Sequence, residues 1–211
     1  MRPVQVKVCG LTRHADAEIA VGFGASAVGL IFWAGSPRVV APNEAAAVVT
    51  GLPPFVARVG VFVNATPDHV KAVVEQVGLD VVQLHGEERV GDYADVGAQL
   101  VKVVTLDTND DIQRAVDLPA GVMPLVDATD RARRGGTGKT ADWTRAAEVA
   151  AHRPTILAGG LTADNIAEAV RTVRPFAVDV SSGVEDAPGV KSPERLRQFF
   201  AALAAAIAED M

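Results

Sequence analysis

The sequence predicts an α/β protein, a (β/α)8 TIM barrel forming a single domain over residues 1–211. Three observations predict it. Eight short runs rich in β-branched residues recur at near-even intervals. They are apolar almost throughout rather than alternating, as strands covered on both faces are. A segment with helical signals follows each run. Eight such units in 211 residues fit a barrel close to its lower size limit of roughly 200 residues. An open doubly wound sheet usually has fewer strands and carries a G-x-G-x-x-G turn after its first strand, which is missing here.

The elements follow in order. The first strand is expected over 4–9 (VQVKVC), with a helix in TRHADAEIAVGFG capped by Thr12 and stopped near Gly24. Strand 26–32 (SAVGLIF) precedes helix PNEAAAVVTGL, and strand 57–63 (ARVGVFV) precedes TPDHVKAVVEQVG. Strand 80–84 (DVVQL) precedes a helix in EERVGDYADVG, and strand 100–105 (LVKVVT) precedes TNDDIQRAVD. Strand 122–127 (VMPLVD) leads through a glycine-rich loop to KTADWTRAAEVAA. Strand 154–159 (PTILAG) precedes TADNIAEAVRTV, and strand 176–181 (FAVDVS) precedes SPERLRQFFAALAAAIAED. Several helices open on Thr, Ser, Asp or Asn and stop at glycine, the usual start and stop chemistry.

Bulk composition narrows the function classes. Half the chain is hydrophobic (49%), enough for a sizeable core. The net charge of −6 gives no nucleic-acid footprint. The single cysteine, Cys9, excludes an intramolecular disulfide and suits a reducing compartment. MRPVQVKVCG has no signal-peptide pattern, and AVGLIFWAG is too short to span a bilayer. A cytoplasmic protein without nucleic-acid or membrane partners is expected. With no obvious exposed apolar patch in the sequence, a monomer is expected, with a homodimer as the alternative.

In a barrel, active sites lie at the C-terminal ends of the strands. That rule selects Cys9, Arg38 in the loop after strand 2, Gln83 and His85, Asp127, Gly159 and Gly160, and Asp179 with Ser181, Ser182 and Gly183. The glycine-bearing loops after strands 7 and 8 match the usual phosphate site of such barrels. Their glycines also serve tight turns. By strand alternation Lys7 shares the barrel interior with Cys9 and is expected to lower the thiol's pKa.

The stretch RARRGGTGKTADW (131–143) superficially resembles a P-loop, but that pattern requires a glycine where Arg133 stands. An anion cradle and a plain surface loop both remain open for it. Placed after strand 6, beside the phosphate loops, Gly136 and Gly138 fit a lid or cradle over a phosphorylated ligand. No His, Cys and carboxylate cluster has metal-ligand spacing.

Read together, KVCGLT, GLIFWAGSPR, GVFVN, VVQLHG, LVDAT with GGTGKTADW, LAGGLTADN and VDVSSGVE..PGVKS resemble the phosphoribosylanthranilate isomerase family, in order over nearly the whole chain. The resemblance implies an Amadori rearrangement in tryptophan biosynthesis. N-(5-phosphoribosyl)anthranilate would become 1-(2-carboxyphenylamino)-1-deoxyribulose 5-phosphate, without cofactor or metal. It implies Cys9 as general base, Asp127 as general acid and Arg38 on the anthranilate carboxylate. Gln83, His85 and Asp179 are further substrate-binding candidates, and Gly136, Gly138, Gly159, Gly160, Ser181, Ser182 and Gly183 candidates for the phosphate. Bifunctional barrels acting on a histidine-pathway aminoaldose use aspartate where this chain has Cys9. A non-catalytic phosphosugar-binding barrel would not need the Cys9 and Asp127 pair.

Overall fold

The computed structural model describes residues 4–127 and 143–209. Eight parallel strands close a barrel in sequence order. They are β1 (Gln5–Cys9), β2 (Ala27–Ile31), β3 (Ala57–Phe62), β4 (Val81–Leu84), β5 (Gln99–Val104), β6 (Val122–Asp127), β7 (Ile156–Ala158) and β8 (Ala177–Val180). Each expected strand is present: 122–127 as expected, 100–105 shifted one residue earlier, and the others trimmed by a residue or two at one or both ends. Closure is made by β1 against β8, with Lys7 beside Asp179 in register.

Among the described residues seven α-helices cover the barrel: α1 (His14–Gly22), α2 (Pro42–Val49), α3 (Pro67–Val77), α4 (Asn109–Val116), α5 (Trp143–His152), α6 (Ile166–Val173) and α7 (Pro193–Glu209). Strand alternation sorts the side chains. Val8, Val28, Leu30, Val82, Leu84, Leu157 and Val178 are fully buried within the main hydrophobic cluster, which includes helix residues such as Ala17, Val70 and Phe199. Val101, Leu125, Ile156, Ala158 and Ala177 form a second, smaller cluster on the alternate strand positions, inside the barrel.

Three expectations are corrected. EERVGDYADVG forms only a 3-10 turn, Val90–Tyr93; Gly91 falls in its middle, and glycine costs about 1 kcal/mol in a helix interior. Thr12 does not cap α1; Arg13 holds that position, and the Thr12 hydroxyl donates to the Gly189 carbonyl at 2.7 Å. After β8 a 3-10 turn, Ser182–Val184, leads into an unforeseen hairpin of β9 (Glu185–Ala187) and β10 (Val190–Lys191). In α3 the cap reading holds, whereas α2 starts from Ala41 and α6 starts from Asn165 without a side-chain cap bond and ends at Arg174 rather than at a glycine. Thr66 accepts the His69 N–H at the start of α3, and Gly78 ends that helix in the left-handed region, φ 71°.

Candidate active site

Among the described residues a cavity opens at each end of the barrel. The larger, about 410 Å³, is lined by residues that begin strands, including Gln5, Ala27, Ala57, Val81, Gln99 and Ala177. Small side chains leave it open where barrels are usually filled by bulky branched ones. Lys7 and Gln83 also border it. Phe55 (96% exposed) and the half-exposed Phe176 stand on its rim. It is wide and apolar but short of reactive groups.

The smaller cavity, about 240 Å³, lies at the C-terminal ends of the strands. It brings together Cys9, Gln83, His85, Asp127, Gly159, Gly160, Asp179, Ser181, Ser182 and Gly183, every expected site residue among those described except Arg38. Gly136 and Gly138 lie outside the described residues. Chemistry and location both favour this smaller cavity as the site.

Cys9 is the last residue of β1, and register places it beside Gly29 of β2. A Cβ on Gly29 would lie 2.8 Å from the Cys9 Sγ and 3.1 Å from the Lys7 Cε, so only glycine leaves room for both side chains. Lys7 Nζ donates to Asp179 Oδ2 at 2.8 Å inside the barrel. Burial pushes the Cys9 thiol up; Lys7 pulls it down, Asp179 pushes the same way as burial, and the net is upward. The direction of the Lys7 influence is as expected, but burial outweighs it. Lys7 itself is raised: the negative charges of Asp179 and Cys9 overcome the burial that lowers it.

Asp127 ends β6, three strands from β1 by way of β7 and β8. His85 follows β4, its N–H bonded to the Phe62 carbonyl at 2.9 Å. Burial lowers the His85 pKa against the opposing pull of Asp127, so the ring is neutral near pH 7. The next loop is pinned by buried Glu88, which accepts from the Asn64 N–H (2.6 Å), the Gly86 N–H (2.7 Å) and Lys102 Nζ (3.2 Å). Gln83 Oε1 and Asp179 Oδ1 are buried without a hydrogen-bond partner. Both residues line the cavity.

Gly159 and Gly160 take φ of 102° and 61°, backbone that other residues adopt at a cost. Gly160 has open space where a Cβ would stand, whereas a Cβ on Gly183 would lie 1.9 Å from the Leu161 carbonyl oxygen. The β7 and β8 loops therefore touch at Gly183, and packing alone requires that glycine. Arg38 lies across the end of β1, where a Cβ on Gly10 would come within 2.4 Å of its Cδ. It is gripped by Glu185, with Nη2 to Oε2 at 2.6 Å. Sequence reasoning passed over Glu185 and Lys191, although both fall in the VDVSSGVE..PGVKS stretch. It also missed the role of Gly29.

A family model described as "N-(5'phosphoribosyl)anthranilate (PRA) isomerase" matches residues 6–202. The chain belongs to the N-(5'-phosphoribosyl)anthranilate isomerase family. A PRA isomerase of Pelobacter propionicus is 43% identical over 196 residues, covering 93% of each chain. The Pseudomonas fluorescens PRA isomerase is 42% identical over 204 residues, 96% of this chain and 97% of that one. Among solved structures, the Thermotoga maritima PRA isomerase superposes with a TM-score of 0.87 at 40% identity, covering 96% of this chain and 99% of that one. A PRA isomerase bound to reduced 1-(o-carboxyphenylamino)-1-deoxyribulose 5-phosphate gives 0.85 at 37% identity, with the same coverage. Family membership makes the chain an isomerase of tryptophan biosynthesis. Among the described residues no helix is long and apolar enough to cross a membrane.

Proposed function

We propose that the chain isomerises N-(5'-phosphoribosyl)anthranilate to the corresponding aminoketose, with Asp127 as general acid and Cys9 as general base. The observation that carries this reading is a single cavity lined by that thiol, that carboxyl and the two loops suited to a phosphate. Asp127 delivers its proton to the furanose ring oxygen as the C1–O bond breaks, giving a Schiff base. Cys9 then takes the proton from C2, leaving an enolamine that tautomerises to the ketone. No redox partner is needed, because the aldose carbon is reduced as its neighbour is oxidised. Asp127 must carry its proton when substrate arrives, and Cys9 must have lost its own.

The other groups fit supporting roles. The Gly159–Gly160 turn with Ser181, Ser182 and Gly183 offers backbone N–H donors, and Ser182 a hydroxyl, to the substrate phosphate; the Ser181 hydroxyl donates to the Cys9 carbonyl at 3.1 Å. Gly136 and Gly138 are proposed to cover it. Gln83 and Asp179, both lining the cavity, bind the sugar hydroxyls. His85, kept neutral, serves as a hydrogen-bonding wall. Arg38 takes the anthranilate carboxylate. The compartment is the cytoplasm, in keeping with a free thiol at the centre of the chemistry. The test is turnover. Freshly prepared substrate mixed with the protein should lose its anthranilate fluorescence far faster than without it; no acceleration by folded protein would refute the assignment.

A second reading concerns assembly. A Thermotoga maritima PRA isomerase is described as dimeric. The expectation of a monomer rested on the lack of an exposed apolar patch, and Phe55 with Phe176 at the rim of the larger cavity removes that premise. A protruding ring and an apolar cavity on one face are self-complementary under two-fold symmetry. We therefore propose a homodimer through the N-terminal face. Light scattering should give twice the chain mass of 21.9 kDa for wild type and a single chain for Phe55→Ser. A monomeric wild type would refute it.

A further inference from the structure

Arg38 is held from behind by a buried network. Glu185 receives Arg38 Nε on its two oxygens at 2.9 and 3.1 Å, and Arg38 Nη2 at 2.6 Å. Its Oε1 also accepts from Lys191 Nζ at 2.6 Å and from the Gly189 N–H at 3.3 Å. Lys191, fully enclosed, donates onward to the Cys9 carbonyl at 2.6 Å and the Ser181 carbonyl at 3.3 Å. Its three ammonium hydrogens thus have three acceptors. Neither Glu185 nor Lys191 lines the active-site cavity. One chain of charge-assisted bonds therefore ties Arg38 to the backbone at the ends of β1 and β8.

The edge of the guanidinium in use matters. A guanidinium has two forks that match a carboxylate, Nε with Nη2 and Nη1 with Nη2. Glu185 occupies the first and leaves the second. A long, freely rotating arginine would lose rotamer freedom on meeting a ligand. Here that freedom is already lost, so the second fork is presented preformed. Burial raises the Glu185 carboxyl, but the bonds from Arg38 and Lys191 overcome it and hold the group ionised.

We infer that Glu185 and Lys191 are positioning residues that act through Arg38, setting the site's affinity for the substrate carboxylate while leaving the proton transfers to Cys9 and Asp127. The inference rests on the reading above in which Arg38 takes that carboxylate. The test compares two substrates: phosphoribosylanthranilate, and the same aminoaldose built on aniline, which lacks the carboxylate. Glu185→Gln should raise KM for the first on the order of tenfold, the effect of weakening one charge-assisted contact, with kcat little changed. For the aniline compound kcat/KM should stay within about twofold of wild type, since Glu185 does not line the cavity and the Lys191 bonds to the Cys9 and Ser181 carbonyls remain. In an Arg38→Ala background, Glu185→Gln should add nothing further.

Equal losses on both substrates, or additive losses with Arg38→Ala, would overturn the positioning role. If Glu185→Gln does not fold, Glu185→Asp keeps the charge beside Lys191 and withdraws it from Arg38, and must show the same split. Wild type inactive on phosphoribosylanthranilate would instead overturn the isomerase reading, and this inference with it.

Discussion

At the scale of single residues, the proposed chemistry turns on how a buried thiol would become a base. Burial raises Cys9, so at neutral pH nearly all of it is protonated in the free enzyme. A base works only when deprotonated, so near neutrality only the small thiolate fraction of Cys9 is active, and the limb of the kcat/KM profile set by the thiol lies above the ordinary thiol range. Lys7 opposes burial; Lys7→Met should move that limb to higher pH and lower kcat/KM near neutrality. A pH profile unchanged by Lys7→Met would contradict this. That Cys9 and Asp127 line one cavity was legible because barrel sites gather at strand ends, and a residue count finds those ends. Glu185 and Lys191 were not. In sequence they are charges in a loop, and charged residues are usually solvated. Only the fold shows that they are enclosed with each other and with Arg38.

At the scale of elements, apolar runs gave the strands because every barrel strand is covered on both faces. The β9–β10 hairpin escaped notice because Glu185–Ala187 and Val190–Lys191 are too short and too polar to read as strands. The helices show which local signals matter. In α4, Thr108 accepts the Asp111 N–H while Asp111 takes the Thr108 N–H at 2.7 Å. Thr108→Ala should cost about 1 kcal/mol of stability, measured by denaturant unfolding, with turnover intact. In α7 the buried residues Leu196, Phe199, Leu203 and Ala206 form one stripe. Phe199 is fully enclosed, and Phe199→Ala should cost about 3–5 kcal/mol. A loss below 1 kcal/mol would mean α7 is not docked as described.

At the scale of the whole molecule, the closed barrel presents a reactive mouth at one end and an apolar one at the other. The larger cavity could not be read from sequence, because it arises where the small residues Ala27, Ala57 and Ala177, from three different strands, line one end of the closed ring. Buried charge also sets the pH range of the fold. Glu185 is depressed in the folded state, so its contribution is fully present above the ordinary carboxylate pKa and lost as pH falls through the depressed value. Stability measured against pH should therefore decline on the acid side, and less steeply in Glu185→Gln. The central claim is that Cys9 and Asp127 move the protons from two sides of one cavity. Its most direct test is kcat at saturating phosphoribosylanthranilate for Cys9→Ala and Asp127→Asn, with melting curves to establish that both fold. Each should lose about 10²–10⁴-fold, the usual contribution of a positioned acid or base. Near-wild-type kcat in either folded variant would contradict the account.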